Sequence, residues 1–116
     1  MQIKIKDKEF ELNFGVKFVR LLDEHMPIKV NINGMGEQPL SMALNRALPA
    51  LQTYDTAMLS DVIYYALWKA TPRPSKEDVD DFLDDPKTNI EKLFKDVQAE
   101  MKKANAIKMA LKNLKA

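Results

Sequence analysis

The chain has 116 residues, a formal charge of +1 and no cysteine. A chain of this length fills one core, and a single domain over 1–116 is expected. The near-zero charge supplies no global pull toward nucleic acid or a membrane surface, and the missing cysteines exclude a disulfide frame and thiolate chemistry. They also fit a reducing cytoplasm. No apolar run approaches the roughly 20 residues of a membrane span, and the opening Met1-Gln2-Ile3-Lys4 has no signal-peptide hydrophobic stretch. The seven methionines supply adaptable gap-filling and contact side chains.

Residues 2–14 predict a β-hairpin. With a two-residue turn at Asp7-Lys8, Ile5 faces Phe10, Ile3 faces Leu12 and Met1 faces Phe14. Lys6 then meets Glu9, and Lys4 meets Glu11, on the opposite face. Strand side chains alternate with period two, so a one-residue slip would destroy this match. An isolated hairpin is marginal in water, so its apolar face must dock on a helical body. Phe10, Leu12 and Phe14 are expected to be buried there, with Lys4 and Glu11 exposed.

The helical body is expected over 16–86. A first helix runs from about Val16 to His25, burying Phe18, Leu21 and Leu22, and Pro27 ends it. A loop follows over Ile28 to Gly36, where the alternation of Ile28, Val30 and Ile32 allows a short third strand. Its glycines lack the lysine and serine that a phosphate-binding loop requires. A second helical block spans Leu40 to about Leu51, kinked or restarted at Pro49. Asp55 is suited to cap a third helix from Thr56 to about Ala70, apolar nearly all round and so central. Ser75 and Asp78 resemble a capping box opening a short acidic helix that ends near Asp85-Pro86.

Thr88 or Asn89 then caps a last helix over 89–115. Ile90, Val97, Ala104 and Leu111 repeat every seven residues, as do Leu93, Glu100, Ile107 and Leu114. About 26 helical residues span roughly 39 Å, against a radius of gyration of about 13 Å for a globule of this size. The far end, from Lys102 on, is therefore expected to overhang the core, and the helix is expected to contribute to holding a partner through Val97, Met101, Ile107, Leu111 and Leu114. Lys102, Lys103, Lys108, Lys112 and Lys115 surround the overhang with no acid among them. The bland alternative folds the same stripe back on the body with its lysines solvated. The fold class is α+β, mainly α: an N-terminal hairpin on a helical body with a long C-terminal amphipathic helix.

Reactive chemistry is largely absent. His25 is the only histidine, and its neighbours Asp23 and Glu24 point elsewhere on a helix. Asp78, Asp80, Asp81, Asp84 and Asp85 lack the spacing, glycine and final glutamate of a calcium loop. Ser41, Ser60 and Ser75 have no histidine at a motif spacing. Tyr64, Tyr65 and Trp68 sit on the most apolar helix, where core packing outweighs base stacking. No catalytic residue, cofactor or metal is expected, and the chain is not read as an enzyme.

The order of several segments carries a resemblance. The hairpin leads through Phe14-Gly15 into Lys17-Phe18-Val19-Arg20-Leu21-Leu22-Asp23. Asp61-Val62-Ile63-Tyr64-Tyr65-Ala66-Leu67-Trp68 follows, then Arg73-Pro74-Ser75-Lys76-Glu77-Asp78. The tail reads Leu93-Phe94-Lys95-Asp96-Val97 and Met101 to Lys108. Together these resemble the tail assembly chaperones of long-tailed phages and prophages of Gram-positive bacteria. The resemblance implies a non-catalytic factor in the host bacterial cytoplasm, absent from the mature virion. It would bind the helical tape measure protein and keep it soluble until tail tube subunits polymerise around it. It also implies the tail tube protein as a further candidate partner and, in many such genes, a longer frameshifted product. A homo-oligomer is expected from the residues themselves, through the unpaired hairpin edge, the C-terminal helix or both. The competing class is a small nucleic-acid-binding or regulatory phage protein using the basic C-terminal helix. The near-neutral charge and the missing helix-turn-helix spacing count against it. A third option is a structural protein of the tail itself.

Overall fold

The computed structural model describes residues 1–26, 28–31, 37–40 and 43–109. Strands β1 (Gln2–Ile5) and β2 (Lys8–Glu11) form the N-terminal antiparallel hairpin. Helix α1 (Val16–His25) leads to a second antiparallel pair, β3 (Ile28–Asn31) and β4 (Glu37–Leu40). Helices α2 (Ala43–Gln52), α3 (Thr56–Ala66), α4 (Lys76–Asp84) and α5 (Ile90–Lys103) complete the element order. The chain is α+β and mainly α, with the hairpin docked on a helical body.

The hairpin keeps its expected faces but not its expected register. Ile3 pairs with Phe10, Lys4 with Glu9 and Ile5 with Lys8. The turn is Lys6-Asp7, both in the left-handed region at φ 52° and 64°, the two-residue geometry that follows strand twist. A shift of two places preserves the alternation, so the apolar face is unchanged. Two tertiary contacts favour this register. The Asn13 amide donates to the Ala66 carbonyl at the end of α3, at 2.9 Å, which takes Asn13 out of the ladder. The Lys6 ammonium reaches Asp78 on α4 at 2.6 Å. Ile3, Ile5, Leu12 and Phe14 are buried and Lys4 and Glu11 exposed, whereas Phe10 is only half-buried.

Helix α1 occupies its expected span and buries Phe18 and Leu22, with Leu21 half-buried. Phe14 meets the Phe18 ring edge-on at 5.1 Å, which fixes where the hairpin enters the body. Strand β4 stands where the sequence pointed to a loop and the start of a helix. Helix α2 begins instead at Ala43, whose amide is accepted by the Asp23 carboxylate of α1 at 3.1 Å. Pro49 lies inside α2. Helix α3 is capped by Asp55, which accepts from the Met58 amide at 3.0 Å. It buries Leu59, Val62 and Ile63 among others and is the central element. It ends at Ala66, earlier than expected, in turns closed by Leu67 N–H to Tyr64 and Ala70 N–H to Leu67. The capping box of α4 is complete: Ser75 and Asp78 exchange side-chain and backbone bonds of 3.0 and 3.1 Å.

The largest departure is at the C-terminus. Asn89 caps α5 through the Lys92 amide at 3.1 Å, but the 14-residue helix spans only about 21 Å. Ala104 is extended, at φ −75° and ψ 131°, and a short helical turn follows over 105–109. The long continuous helix is therefore corrected to a helix, a break and a turn. Ile107 is fully buried in the common apolar cluster rather than overhanging it. The part of the expected helix beyond 109 lies outside the described residues.

Candidate partner-binding surface

The five residues expected to meet a partner fall into two groups. Val97, Met101 and Ile107 have no exposed surface and belong to the core. Leu111 and Leu114 lie outside the described residues. Helix α5 is further tied to α2 by the Gln98 amide group, which donates to the Leu51 carbonyl at 3.3 Å. Around the 105–109 turn, Lys102, Lys103 and Lys108 are exposed, and Lys103 pairs with Glu100 at 3.2 Å. Met109 is 62% exposed. Among the described residues, this end thus shows one exposed apolar side chain, Met109, together with exposed lysines.

A second candidate surface lies beside the hairpin. The Leu12 amide donates to the Met1 carbonyl at 2.9 Å. That sets the phase of the ladder, so the backbone groups of Glu9 and Glu11 point away from β1. The Asn13 side chain donates to the Glu11 carbonyl at 3.3 Å. The Glu9 amide and carbonyl have no partner among the described residues. Between this edge and the segment 69–74 lies a groove of about 960 Å³, with Phe10, Pro72 and Arg73 among its walls. Asn13, which donates to the Ala66 carbonyl, and the paired Lys6 and Asp78 also line it. Sequence reasoning placed Phe10 in the core and so missed this groove. The hairpin edge itself is legible in the sequence, where its unpaired backbone groups point to self-association rather than to a groove.

Several polar side chains elsewhere are occupied with structure, whereas the buried Trp68 Nε1 has no hydrogen-bond partner among the described residues. His25 stacks on Tyr65, with ring centroids 5.2 Å apart and planes 10° from parallel. Tyr64 meets Tyr65 edge-on and accepts a 2.6 Å hydrogen bond from Arg73, whose guanidinium lies over its ring. The Tyr65 hydroxyl holds the Lys76 ammonium above its ordinary pKa. Burial pushes the Asp61 carboxyl up, opposed by Lys76. The Ser60 hydroxyl donates to Asp80. No group of three or more His, Cys, Asp and Glu side chains is placed to hold a metal among the described residues. No helix among them is long and apolar enough to cross a membrane.

Together these features define a small, mainly helical protein with candidate docking surfaces and, among its described residues, no assembled metal site. A family model described as phage tail assembly chaperone protein, TAC, matches residues 2–115, and the chain belongs to that family. No curated protein and no solved structure matches it. Membership points to a non-catalytic assembly role with phage tail proteins as the partner class.

Proposed function

We propose that the chain binds the tape measure protein of a long phage tail and keeps it soluble until tube subunits polymerise around it. The observation that carries this is the family match over nearly the whole chain. The open groove beside β2 and the exposed Met109 among lysines provide surface for a client. Val97 and Met101 are buried, so they serve binding by holding α5 on the body, and Ile107 is buried in the same apolar cluster. Direct contact then falls to Leu111 and Leu114, continuing from Met109, with lysines steering an acidic client surface. The chain acts as one domain over 1–116 and as a homo-oligomer, with the tail tube protein as a further partner. It works in the cytoplasm of a Gram-positive host and leaves before the virion matures. The test is affinity capture of the tagged chain from cells assembling tails, alongside mass spectrometry of purified virions. Capture of the tape measure protein together with absence from virions is expected. Presence in virions at a fixed stoichiometry would make it a structural protein instead.

A further inference from the structure

The break between α5 and the turn 105–109 has no local cause. Lys102, Lys103, Ala104, Asn105 and Ala106 include neither glycine nor proline, and alanine is the strongest helix former of all. The break is also locally unfavourable. Ala104 sits ahead of the new turn with no side-chain acceptor to cap it. The amides of Asn105 and Ala106 have no backbone partner among the described residues, whereas those of Ile107 and Lys108 donate to the Ala104 carbonyl at 3.0 and 2.9 Å. In an unbroken helix, Asn105 and Ala106 would donate to Met101 and Lys102. The gain that offsets these losses is the burial of Ile107, which has no exposed surface while its neighbours Asn105, Lys108 and Met109 are exposed.

We propose that residues 105–109 form a latch with two positions. With Ile107 seated, α5 ends at Lys103. With Ile107 withdrawn, the helix runs on through Ala104 and carries Ile107 out of the core, in line with the seven-residue repeat of the sequence. The straight form is the one that takes the helical client, a point that rests on the function proposed above. The sequence supports both states: the repeat of Ile90, Val97, Ala104 and Leu111 passes through the break without a change of phase, as a continuous helical seam requires. Such a device turns a local choice between capping and burial into a change of exposed surface.

Two substitutions bias the latch in opposite directions. Asn105→Pro fits the seated form, because proline suits the first position of a helical turn, and it restricts the preceding residue to the extended backbone that Ala104 already has. It forbids the straight form. Ile107→Gln removes the apolar anchor and keeps a good helix former. The Ala104 ¹³Cα shift should be extended in the wild type and in Asn105→Pro, and should move to the helical value in Ile107→Gln. Slower amide exchange at Asn105 and Ala106 should accompany that move. Persistence of the extended shift in folded Ile107→Gln overturns the latch. If that variant unfolds, Asn105→Pro decides alone. It should melt no lower than the wild type and yet lose client capture. Equal capture by Asn105→Pro and wild type overturns the role of straightening. Failure of the wild type itself to capture the client, with the shifts as expected, overturns the proposed function and leaves the latch standing.

Discussion

The ammonium of Lys6 lies 2.6 Å from the carboxylate of Asp78, joining the tip of the hairpin to the first turn of α4. Asp78 also closes the capping box with Ser75. One carboxylate thus orders a helix terminus and fixes where the hairpin lies.

This pair predicts a stability profile that falls at both pH extremes. The Lys6 hydrogen bond, followed by the Ser75 backbone amide, holds Asp78 below its ordinary pKa of 3.8. Its contribution is complete above the unfolded-state value and is lost as pH falls through the lowered one. The same hydrogen bond raises Lys6 above 10.5, so its contribution is complete below that value and is lost as pH rises through the raised one. Asp78→Asn should melt lower at neutral pH and show a flatter decline at both ends. Wild-type and variant melting curves that run parallel from pH 2 to pH 12 would mean that the pair adds nothing.

The two hairpin phenylalanines should separate in their effect on stability. Phe14 is 8% exposed and packs on Phe18. Phe14→Ala should cost about 3–5 kcal/mol, as for a buried aromatic side chain. Phe10 is half-buried on the wall of the groove, and Phe10→Ala should cost clearly less. Urea unfolding of the two variants checks the order, and equal midpoints would contradict the observed docking.

Asp55 carries the N-terminus of the central helix through the Met58 amide. Asp55→Ala should cost about 1 kcal/mol, and Asp55→Asn should recover most of it because asparagine caps nearly as well. Thermal melts of the three proteins measure this directly.

Met101 and Met109 lie on one segment but differ in burial. Met101 has no exposed surface and Met109 is 62% exposed. Met101→Ala should destabilise by about 2–5 kcal/mol, and Met109→Ala should stay within about 0.5 kcal/mol of the wild type. If Met101→Ala unfolds like the wild type, Met101 is a surface residue after all, as first expected.

Much of the fold is legible in the residues. Val16 to His25, the caps at Asp55, Ser75 and Asn89, and the apolar α3 follow from local preferences that the packing agrees with. The departures share a cause. A two-place slip of the hairpin leaves every side chain on its face, so periodicity cannot choose between registers; the Asn13–Ala66 and Lys6–Asp78 contacts do. Strand β4, Glu37-Gln38-Pro39-Leu40, has neither alternation nor β-branched residues, and its evidence is its partner β3. The break at Ala104 is hidden because every residue around it tolerates a helix. The surface was legible least of all. A seven-residue apolar stripe says that something covers it, and for Val97, Met101 and Ile107 that something is this chain's own core.

Co-expression with the tape measure protein tests the central claim most directly. The tape measure protein is produced alone and then together with the chain, and each lysate is divided into pellet and supernatant. The account predicts that the tape measure protein moves to the supernatant and elutes with the chain on size exclusion. A tape measure protein that pellets equally in both cases, while the chain stays soluble and elutes by itself, would contradict it.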